Sequence, residues 1–421
     1  MNKELRKRAA DQGLPLMDYI LKRMAELKSE TGIPRTIFAA CPNSAAVIKA
    51  SLRAAKRANA PIKFAATLNQ VDTDGGYTGL TQKEFVDTIR EQCRMLNFTG
   101  PVIVAVDHGG PWLKDSHRVE KWPLEKTMNQ VKASFEAALD AGYDLIHVDP
   151  TVDISLAPGS VIDIDVVAER TLELIAHTEN YRKQRKLPRV SYEVGTEEVH
   201  GGLADMKVFN RFLTLLKKGL AERGLEDVWP CFIVGKVGTD LHTTFFDPEV
   251  AGELTLAAAA YGSYIKGHYS DNVENPEAYP LSGMGAANVG PEFTEREYDG
   301  LMELAGVEMH LKLEGKVARV SRILETIRES VIASHRWEKW LAKGESSTDF
   351  SANSPERQLW LTKTCARYIW ENPEVVAARS RLMNNVENYG INGEEIVLSK
   401  IETAMDRYFY RFNLVNLNEL L

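Results

Sequence analysis

The sequence lacks most features that mark membrane, secreted or thiolate-metal proteins. No apolar run approaches the roughly 18 to 20 residues that cross a bilayer, and the first residues, MNKELRKRAADQG, are polar where a signal peptide is apolar. The four cysteines, none of them paired as CxxC, are Cys41, Cys93, Cys231 and Cys365. We therefore expect a cytoplasmic protein with reduced thiols that does not bind membranes.

Positive charge is also in short supply. The chain has 51 Lys and Arg against 59 Asp and Glu, a formal net charge of −8, whereas nucleic-acid-binding proteins carry a basic face. There is no GxxxxGK[ST] phosphate loop, and the segment Gly283–Gly290 departs from the dinucleotide fingerprint at its third glycine. The sequence thus predicts neither a nucleic-acid partner nor a nucleotide cofactor. We expect Gly283–Gly290 to serve as a backbone cradle for phosphate.

Short apolar runs alternate with helical patterns over the first three hundred residues. Continuous apolar runs of this length are typical of strands buried on both faces, and helix starts are indicated by Thr81, Asp247 and Thr294. Eight strand–helix units predict a (β/α)₈ barrel, with an open doubly wound sheet as the alternative. The predicted strands are Thr36–Cys41, Ile62–Leu68, Val102–Asp107, Leu145–Asp149, Arg189–Val194, Cys231–Val237, Ser263–Lys266 and Gly285–Gly290.

After about residue 305 the strand pattern stops and only amphipathic helical stripes remain. We therefore divide the chain into a catalytic barrel, residues 1–305, and a helical C-terminal region, residues 306–421, in which we find no candidate chemistry. The aromatic cluster near the C-terminus indicates either core packing or a subunit interface, and the second use would make the protein a homo-oligomer. This cluster comprises Tyr408, Phe409, Tyr410 and Phe412.

Polar and metal-ligating residues gather where the predicted strands end. A barrel places its active site at these ends, and histidines combined with carboxylates suit a catalytic divalent metal. The predicted ligands are His108, His242 and His268, with Glu193 and Glu197 as carboxylate candidates. His200 is a weaker candidate, and His147 lies within its strand and fits core packing equally well. The remaining strand-end candidates, assigned to substrate binding, are Asn69, Gln70, Asp149, Asp240, Asn288 and Gly290.

Several of these segments resemble one known family. TLNQVDTDGGYTGLT, VDHGGPW, HVDPTVD, YEVGTE and NVGPEFT are similar to the accessory subunits of class II tagatose-bisphosphate aldolase, a family also labelled tagatose-6-phosphate kinase. CPNSAAV, YEVGTEEVHGGL, VGTDLHTT and GHYSDNVENP resemble in particular a branch of fructose-6-phosphate/tagatose-6-phosphate 4-epimerases. The resemblance covers nearly the whole chain.

The family is related in fold to the zinc-dependent class II aldolases, and this implies roles for several residues. Asp107 would be a general acid or base, and His108 a metal ligand. Glu193 would bind the metal or handle protons, and His242, His268 and Asn288 match late positions of the aldolases. The implied cofactor is a divalent metal, zinc before manganese, cobalt or nickel. One departure is the aldolase phosphate loop HGGS, which is replaced here by His268-Tyr-Ser-Asp.

The sequence is compatible with three functions. The first is a metal-dependent 4-epimerase that breaks and re-forms the C3–C4 bond of a sugar phosphate, with Asp107 or Glu197 moving the proton of the C4 hydroxyl. The second is a non-catalytic subunit of a class II tagatose-1,6-bisphosphate aldolase, and the third is a true aldolase. A kinase has the least support, because no phosphate loop is present.

Overall fold

The computed structural model of the protein describes residues 2–157, 160–195, 202–203 and 205–421. Its centre is a closed barrel of eight parallel strands, in which the last strand pairs with the first. This arrangement confirms the predicted (β/α)₈ barrel and excludes the open doubly wound sheet. The barrel strands are β1 (Ile37–Ala40), β2 (Ile62–Thr67), β3 (Val102–Gly109), β4 (Leu145–Val148), β5 (Ser191–Gly195), β6 (Phe232–Val234), β7 (Tyr264–Gly267) and β8 (Ala286–Val289).

Most barrel strands are buried on both faces. Every residue of β1, β4, β5, β6 and β8 is buried, because helices cover the outside of the barrel and side chains fill its interior. This double burial is the reason that the strands read as continuous apolar runs in the sequence. A two-residue antiparallel pairing of 202–203 with 237–238 lies outside the barrel sheet.

Helices connect the strands, and none of the described ones is long and apolar enough to cross a membrane. Two of the predicted helix starts are confirmed, since Thr81 forms a capping box and Asp247 caps the following helix. The third is wrong: Thr294 lies inside a helix whose N-cap is Gly290. The helices are α1 (Lys3–Asp11), α2 (Leu16–Thr31), α3 (Ala45–Ala58), α4 (Gln82–Met95), α5 (Asp115–Val119), α6 (Leu124–Ala141), α7 (Ile164–Gln184), α8 (Met206–Glu222), α9 (Pro248–Ala259), α10 (Ala278–Leu281), α11 (Pro291–Leu313), α12 (Ile323–Ser334), α13 (Pro355–Cys365), α14 (Pro373–Glu387) and α15 (Gly393–Arg411).

The described residues after β8 form helices joined by loops and include no strand, and they are packed closely against the barrel. Residue 305, the predicted boundary, lies inside α11, and α15 packs against both α11 and α3. Tyr408 of α15 stacks on Phe38 of β1 with ring centroids 5.5 Å apart, while Tyr410 is 68 % exposed. Most of the aromatic cluster is therefore core, and the division at residue 305 stays a prediction.

Candidate active site

Strand β3 delivers two adjacent candidate residues to the C-terminal rim of the barrel. Its pairing with β4 shifts register between Val106 and Gly109, and His108 adopts a left-handed backbone with φ of 47°. Such a bulge re-aims side chains, and here Asp107 and His108 line the same cavity. Gly110 allows β4 to approach, because a Cβ at that position would lie 1.8 Å from the carbonyl oxygen of Asp149.

Three histidines and three carboxylates meet at this rim. Nδ1 of His147 lies 3.2 Å from Oδ1 of Asp107 and 3.2 Å from Oε1 of Glu193. Nε2 of His268 lies 3.4 and 3.5 Å from the same two oxygens, and the rings of His108 and His268 have centroids 4.3 Å apart. We call this group the carboxylate–histidine cluster, and its members are Asp107, His108, His147, Asp149, Glu193 and His268.

Two lysines lie beneath the cluster in the barrel interior. Lys266 donates hydrogen bonds to Glu193 and, over 3.1 Å, to Oδ1 of Asp107, and Nζ of Lys63 lies 3.3 Å from Oε2 of Glu193. Both lysines are fully buried, and neither lines the cavity above the cluster. Two cations thus balance two buried carboxylates, which removes most of the cost of burying either charge alone.

These neighbours hold the carboxyl groups of the cluster in their ionised form. Burial raises the pKa of Asp107 and of Glu193, but Lys266 and the histidines outweigh burial, so both pKa values lie well below their usual range. Burial, followed by Lys266, lowers the pKa of His268. His268 is therefore a neutral imidazole at pH 7, which is the form that binds metal ions.

The cluster fits a divalent metal ion. One ligand atom from each of Asp107, His147, Glu193 and His268 lies within 4.8 Å of the other three. The distances of 3.4 and 3.5 Å from Nε2 of His268 to the two carboxylate oxygens are close to the edges of about 3.3 to 3.4 Å in a tetrahedron whose metal–ligand bonds are about 2.0 to 2.1 Å. Nδ1 of His147 accepts a hydrogen bond from the backbone amide of His108 over 3.0 Å, so the nitrogen that His147 can offer is Nε2, which has no hydrogen-bond partner among the described residues. Lys266 does not prevent such binding, because each carboxylate oxygen has two lone pairs.

The cavity above the cluster contains polar atoms without partners. It has a volume of about 130 Å³ and adjoins a second cavity of about 390 Å³, and His108 lines both. Nδ2 of Asn43, Oδ1 of Asn288 and both ring nitrogens of His268 are buried without a hydrogen-bond partner in the described part of the chain. Unpaired buried polar atoms are costly, so this wall is suited to a polar ligand.

Several predicted binding residues have positions that support the cluster. Nδ1 of His108 lies 2.5 Å from Oδ2 of Asp149, a contact that orients the ring, and Nδ2 of Asn288 donates to Asp107 over 3.0 Å. Asn69 donates to the carbonyl of Leu113 and accepts from the backbone of Asp115. Asn69 lines both cavities, but its amide holds a loop in place.

Gln70 and Gly290 also line the first cavity, with their main polar groups already engaged. The side chain of Gln70 donates to Asn43 and accepts from the backbone of Thr67. The amide of Gly290 donates to Oδ1 of Asp271 over 2.9 Å. The amide of Gly290 is therefore engaged by a side chain of the same chain at the start of α11, where an anion would bind, and phosphate binding by Gly283–Gly290 stays a prediction.

The structure does not bring His242 or Asp240 to the cluster. His242 is exposed, and its ring packs on Trp360 with centroids 5.3 Å apart, while Asp240 accepts a hydrogen bond from the backbone of His242. Both line the wider second cavity. The loop after β6 places His242 against Trp360, and the cluster contains His147 together with the predicted ligands His108 and His268. Glu197 and His200 lie outside the described residues.

Sequence reasoning missed both buried lysines and Asn43. Lys63 and Lys266 each interrupt an apolar run, IKFAAT and SYIKG, and a charge within a doubly buried strand is the signal that could have revealed them. Asn43 follows β1 directly and accepts hydrogen bonds from Gln70 and from the hydroxyl of Tyr77. It therefore joins the β1 and β2 sides of the rim.

Comparison with known proteins agrees with this architecture. A family profile described as "D-tagatose-1,6-bisphosphate aldolase subunit GatZ/KbaZ-like" matches residues 21–409. A probable tagatose 6-phosphate kinase from Sinorhizobium meliloti 1021 superposes with a TM-score of 0.72 at 21 % identity, over 90 % of this chain and 100 % of that chain. The fructose-bisphosphate aldolase of Campylobacter jejuni superposes with a TM-score of 0.51 at 12 % identity, over 95 % of each chain. At these identities the two structures indicate a shared fold.

Proposed function

The chain belongs to the GatZ/KbaZ-like family, and on this premise we propose that it is a metal-dependent 4-epimerase that interconverts D-fructose 6-phosphate and D-tagatose 6-phosphate. The observation that carries the proposal is the carboxylate–histidine cluster, which combines ionised carboxylates with the neutral imidazole of His268 at the floor of a cavity. A subunit that only supported another protein would gain nothing from burying so many charged groups.

The chemistry of the substrate class favours a cleavage route. C4 of a 2-ketose is β to the carbonyl, so the hydrogen on C4 is not acidic and its abstraction cannot invert the centre. Transient oxidation at C4 would need a nicotinamide cofactor, and the sequence contains no convincing dinucleotide fingerprint. Cleavage and re-formation of the C3–C4 bond needs a base for the C4 hydroxyl and an electrophile for the C2 carbonyl, both of which the cluster can provide.

We assign the base to Asp107. Its carboxylate is ionised and lines the cavity, so it can take the C4 hydroxyl proton while the electron pair of the C3–C4 bond moves towards the carbonyl oxygen at C2. C4 becomes an aldehyde, which turns its other face to the three-carbon fragment before the bond re-forms and Asp107 returns the proton. Glu197 stays a predicted second proton carrier outside the described residues.

The remaining cluster residues would hold and orient the reacting groups. His147, Glu193 and His268 would hold a divalent metal, which would supply Lewis-acid polarisation of the carbonyl, and Asp107 beside them stays available as the base. Asp149 orients His108, and Asn288 holds Asp107. We place zinc first as the metal because imidazole and carboxylate ligands in a tetrahedral set suit it. Manganese, cobalt and nickel are the alternatives.

The decisive experiment uses the isolated chain, fructose 6-phosphate and no second protein. We expect tagatose 6-phosphate to appear with added divalent metal and to disappear after chelation, with recovery on re-addition of metal. Asp107→Asn should reduce kcat at least about 100-fold, the lower range for loss of an acid–base group, while the folded protein stays intact. An Asp11→Asn control, the same change at an exposed position outside the lining of both cavities, should retain most activity. Absence of epimerisation by the metal-loaded native chain would contradict the proposal.

The family description itself favours a second candidate, a subunit of a tagatose-1,6-bisphosphate aldolase. This alternative predicts no turnover by the chain alone, together with a stable complex and increased activity when a class II aldolase catalytic subunit is added. A true aldolase would instead release free triose, which a coupled triose-phosphate dehydrogenase assay detects. Epimerisation without free triose would separate the proposed function from both.

A further inference from the structure

Two segments of the helical C-terminal region form part of the cavity wall above the cluster. One is the short 3₁₀ helix Arg336–Trp340, and the other is the 3₁₀ helix Ala366–Tyr368. Arg336, Lys339 and Arg367 line the same cavity as Asp107 and His268. The helical C-terminal region, in which the sequence offered no candidate functional residues, thus contributes three cations to the cavity above the carboxylate–histidine cluster.

Arg367 differs from the other two cations in lacking a counter-ion. Arg336 and Lys339 both contact the carboxylate of Asp115. Arg367 is only 5 % exposed, and within the described residues no carboxylate pairs with it. Its guanidinium donates to the carbonyl of Thr364 and to the hydroxyl of Tyr368. These two bonds leave three of its five N–H donors without a partner in the described part of the chain.

The aromatic surroundings hold this guanidinium in place. The centre of the Arg367 guanidinium lies 4.6 Å from the ring of Tyr368 and 5.0 Å from the ring of Trp340. Stacking of this kind orients the planar fork of an arginine, and little side-chain entropy remains to be lost when it binds an anion. A buried charge without a partner is costly, so the cavity is prepared for a negatively charged group.

We propose that Arg367, assisted by Lys339 and Arg336, binds the phosphate at C6 of the substrate. This inference rests on the proposed function, and it explains how an epimerase can cleave its substrate without losing the pieces. With the phosphate held by the C-terminal region, the aldehyde fragment can rotate about its C4–C5 bond while it stays attached to the protein. The helical region then acts as the phosphate-binding wall of the barrel's active site.

The test measures binding and does not depend on turnover. Isothermal titration calorimetry would compare fructose 6-phosphate, fructose and inorganic phosphate on the native chain and on variants. We expect Arg367→Met to weaken fructose 6-phosphate binding about 10- to 100-fold, as expected for loss of a hydrogen bond to a charged group, and to leave fructose binding unchanged. Arg367→Lys should fall between the two. The matched control is Arg319→Met, which removes the same charge from an exposed position outside the cavity lining.

Further variants and ligands keep the test decisive. If Arg367→Met fails to fold, Arg367→Lys and Lys339→Met carry the test, and each should weaken binding of the phosphate ester and not of fructose. A ketohexose with a carboxylate at C6 should bind more weakly than the phosphate ester, and tighter binding would overturn the assignment to phosphate. Native affinity of the folded Arg367→Met variant for fructose 6-phosphate would overturn the proposal, as would failure of the native chain to bind any phosphate-bearing probe.

The outcomes also separate this inference from the proposed function. Arg367-dependent binding of fructose 6-phosphate by a chain that does not epimerise it would support the phosphate site and reject the epimerase. Epimerisation with unchanged binding in Arg367→Met would support the epimerase and reject the phosphate site.

Discussion

A buried carboxyl group between the barrel and the helical region should make the stability of the protein depend on pH. Glu297 of α11 is 1 % exposed and accepts a hydrogen bond of 2.6 Å from the hydroxyl of Ser44, which caps α3. The charged side chains nearest to it are Arg379, at 3.7 Å, and Glu371. Burial dominates this environment and raises the pKa of Glu297 from its ordinary value of 4.5 to about 7.

The sign and size of the effect follow from this pKa. Below about pH 4.5 the carboxyl is protonated in both folded and unfolded chains, and it costs nothing. As the pH rises towards 7, the unfolded chain ionises while the folded chain keeps its proton, so the free energy of unfolding falls. The difference of about 2.5 between the pKa values, at about 1.4 kcal/mol for each unit, amounts to about 3 kcal/mol above pH 7.

Glu297→Gln removes this titration and keeps the shape of the side chain. Urea unfolding of the native and variant chains at pH 5 and pH 8 gives two differences in free energy of unfolding. We expect the variant to gain about 2 to 3 kcal/mol relative to native between these pH values, because part of the cost is already present at pH 5. Other titrating groups cancel, since both chains share them.

A matched control is Glu303→Gln, the same change of charge at an exposed position of α11. Its difference from native should move by less than about 0.5 kcal/mol between the two pH values, as is usual for surface substitutions. A Glu297→Gln difference that stays constant, or that falls with pH, would mean that Glu297 is ionised in the folded protein. Burial would then not be the factor that sets the pKa of Glu297.

Two further predictions concern the carboxylate–histidine cluster. Lys266→Met leaves two buried carboxylates without enough positive charge beside them, so the free energy of unfolding should fall by about 3 to 5 kcal/mol. Urea denaturation measures this loss against an exposed Lys83→Met control. A loss below about 1 kcal/mol would contradict the ion-pair network. His268→Ala and His147→Ala should each abolish the retention of metal after desalting, measured by elemental analysis, whereas His242→Ala should retain it. Loss of metal in His242→Ala alone would restore the ligand set predicted from sequence.

The fold was predictable because its signals are local. Most barrel strands are buried on both faces, so strands such as β1 and β6 appear as apolar runs that need no knowledge of their neighbours. The boundary at residue 305 rested on the end of the strand pattern. The helix α11 continues through that point without a break. Its hydrophobic periodicity is the same on both sides, so the sequence pattern does not show where the barrel ends.

The candidate site was predictable only as far as strand ends determine position. Asp107, Glu193 and His268 lie at or next to the ends of parallel strands, and the closure of the barrel brings them together. His242 lies eight residues beyond the end of β6 (Val234). At that distance the position of a side chain depends on the path of the loop and not on the order of the strands. The hydrogen bond of the Gly290 amide could not be predicted either, since its acceptor is Asp271, nineteen residues earlier in the chain.

The net charge of the chain gives a physical reason for the proposed phosphate site in the helical region. A protein of net charge −8 repels an anionic sugar phosphate at long range, so the attraction has to come from cations near the site. The barrel's buried lysines are committed to the cluster, where they balance Asp107 and Glu193. Arg367 can supply the missing charge because the helical region forms its own helices and is held to the barrel by apolar contacts such as Phe38 with Tyr408. A cation that lies far from the barrel strands in sequence carries no pattern that links it to them, and only the packing of the two regions reveals its position.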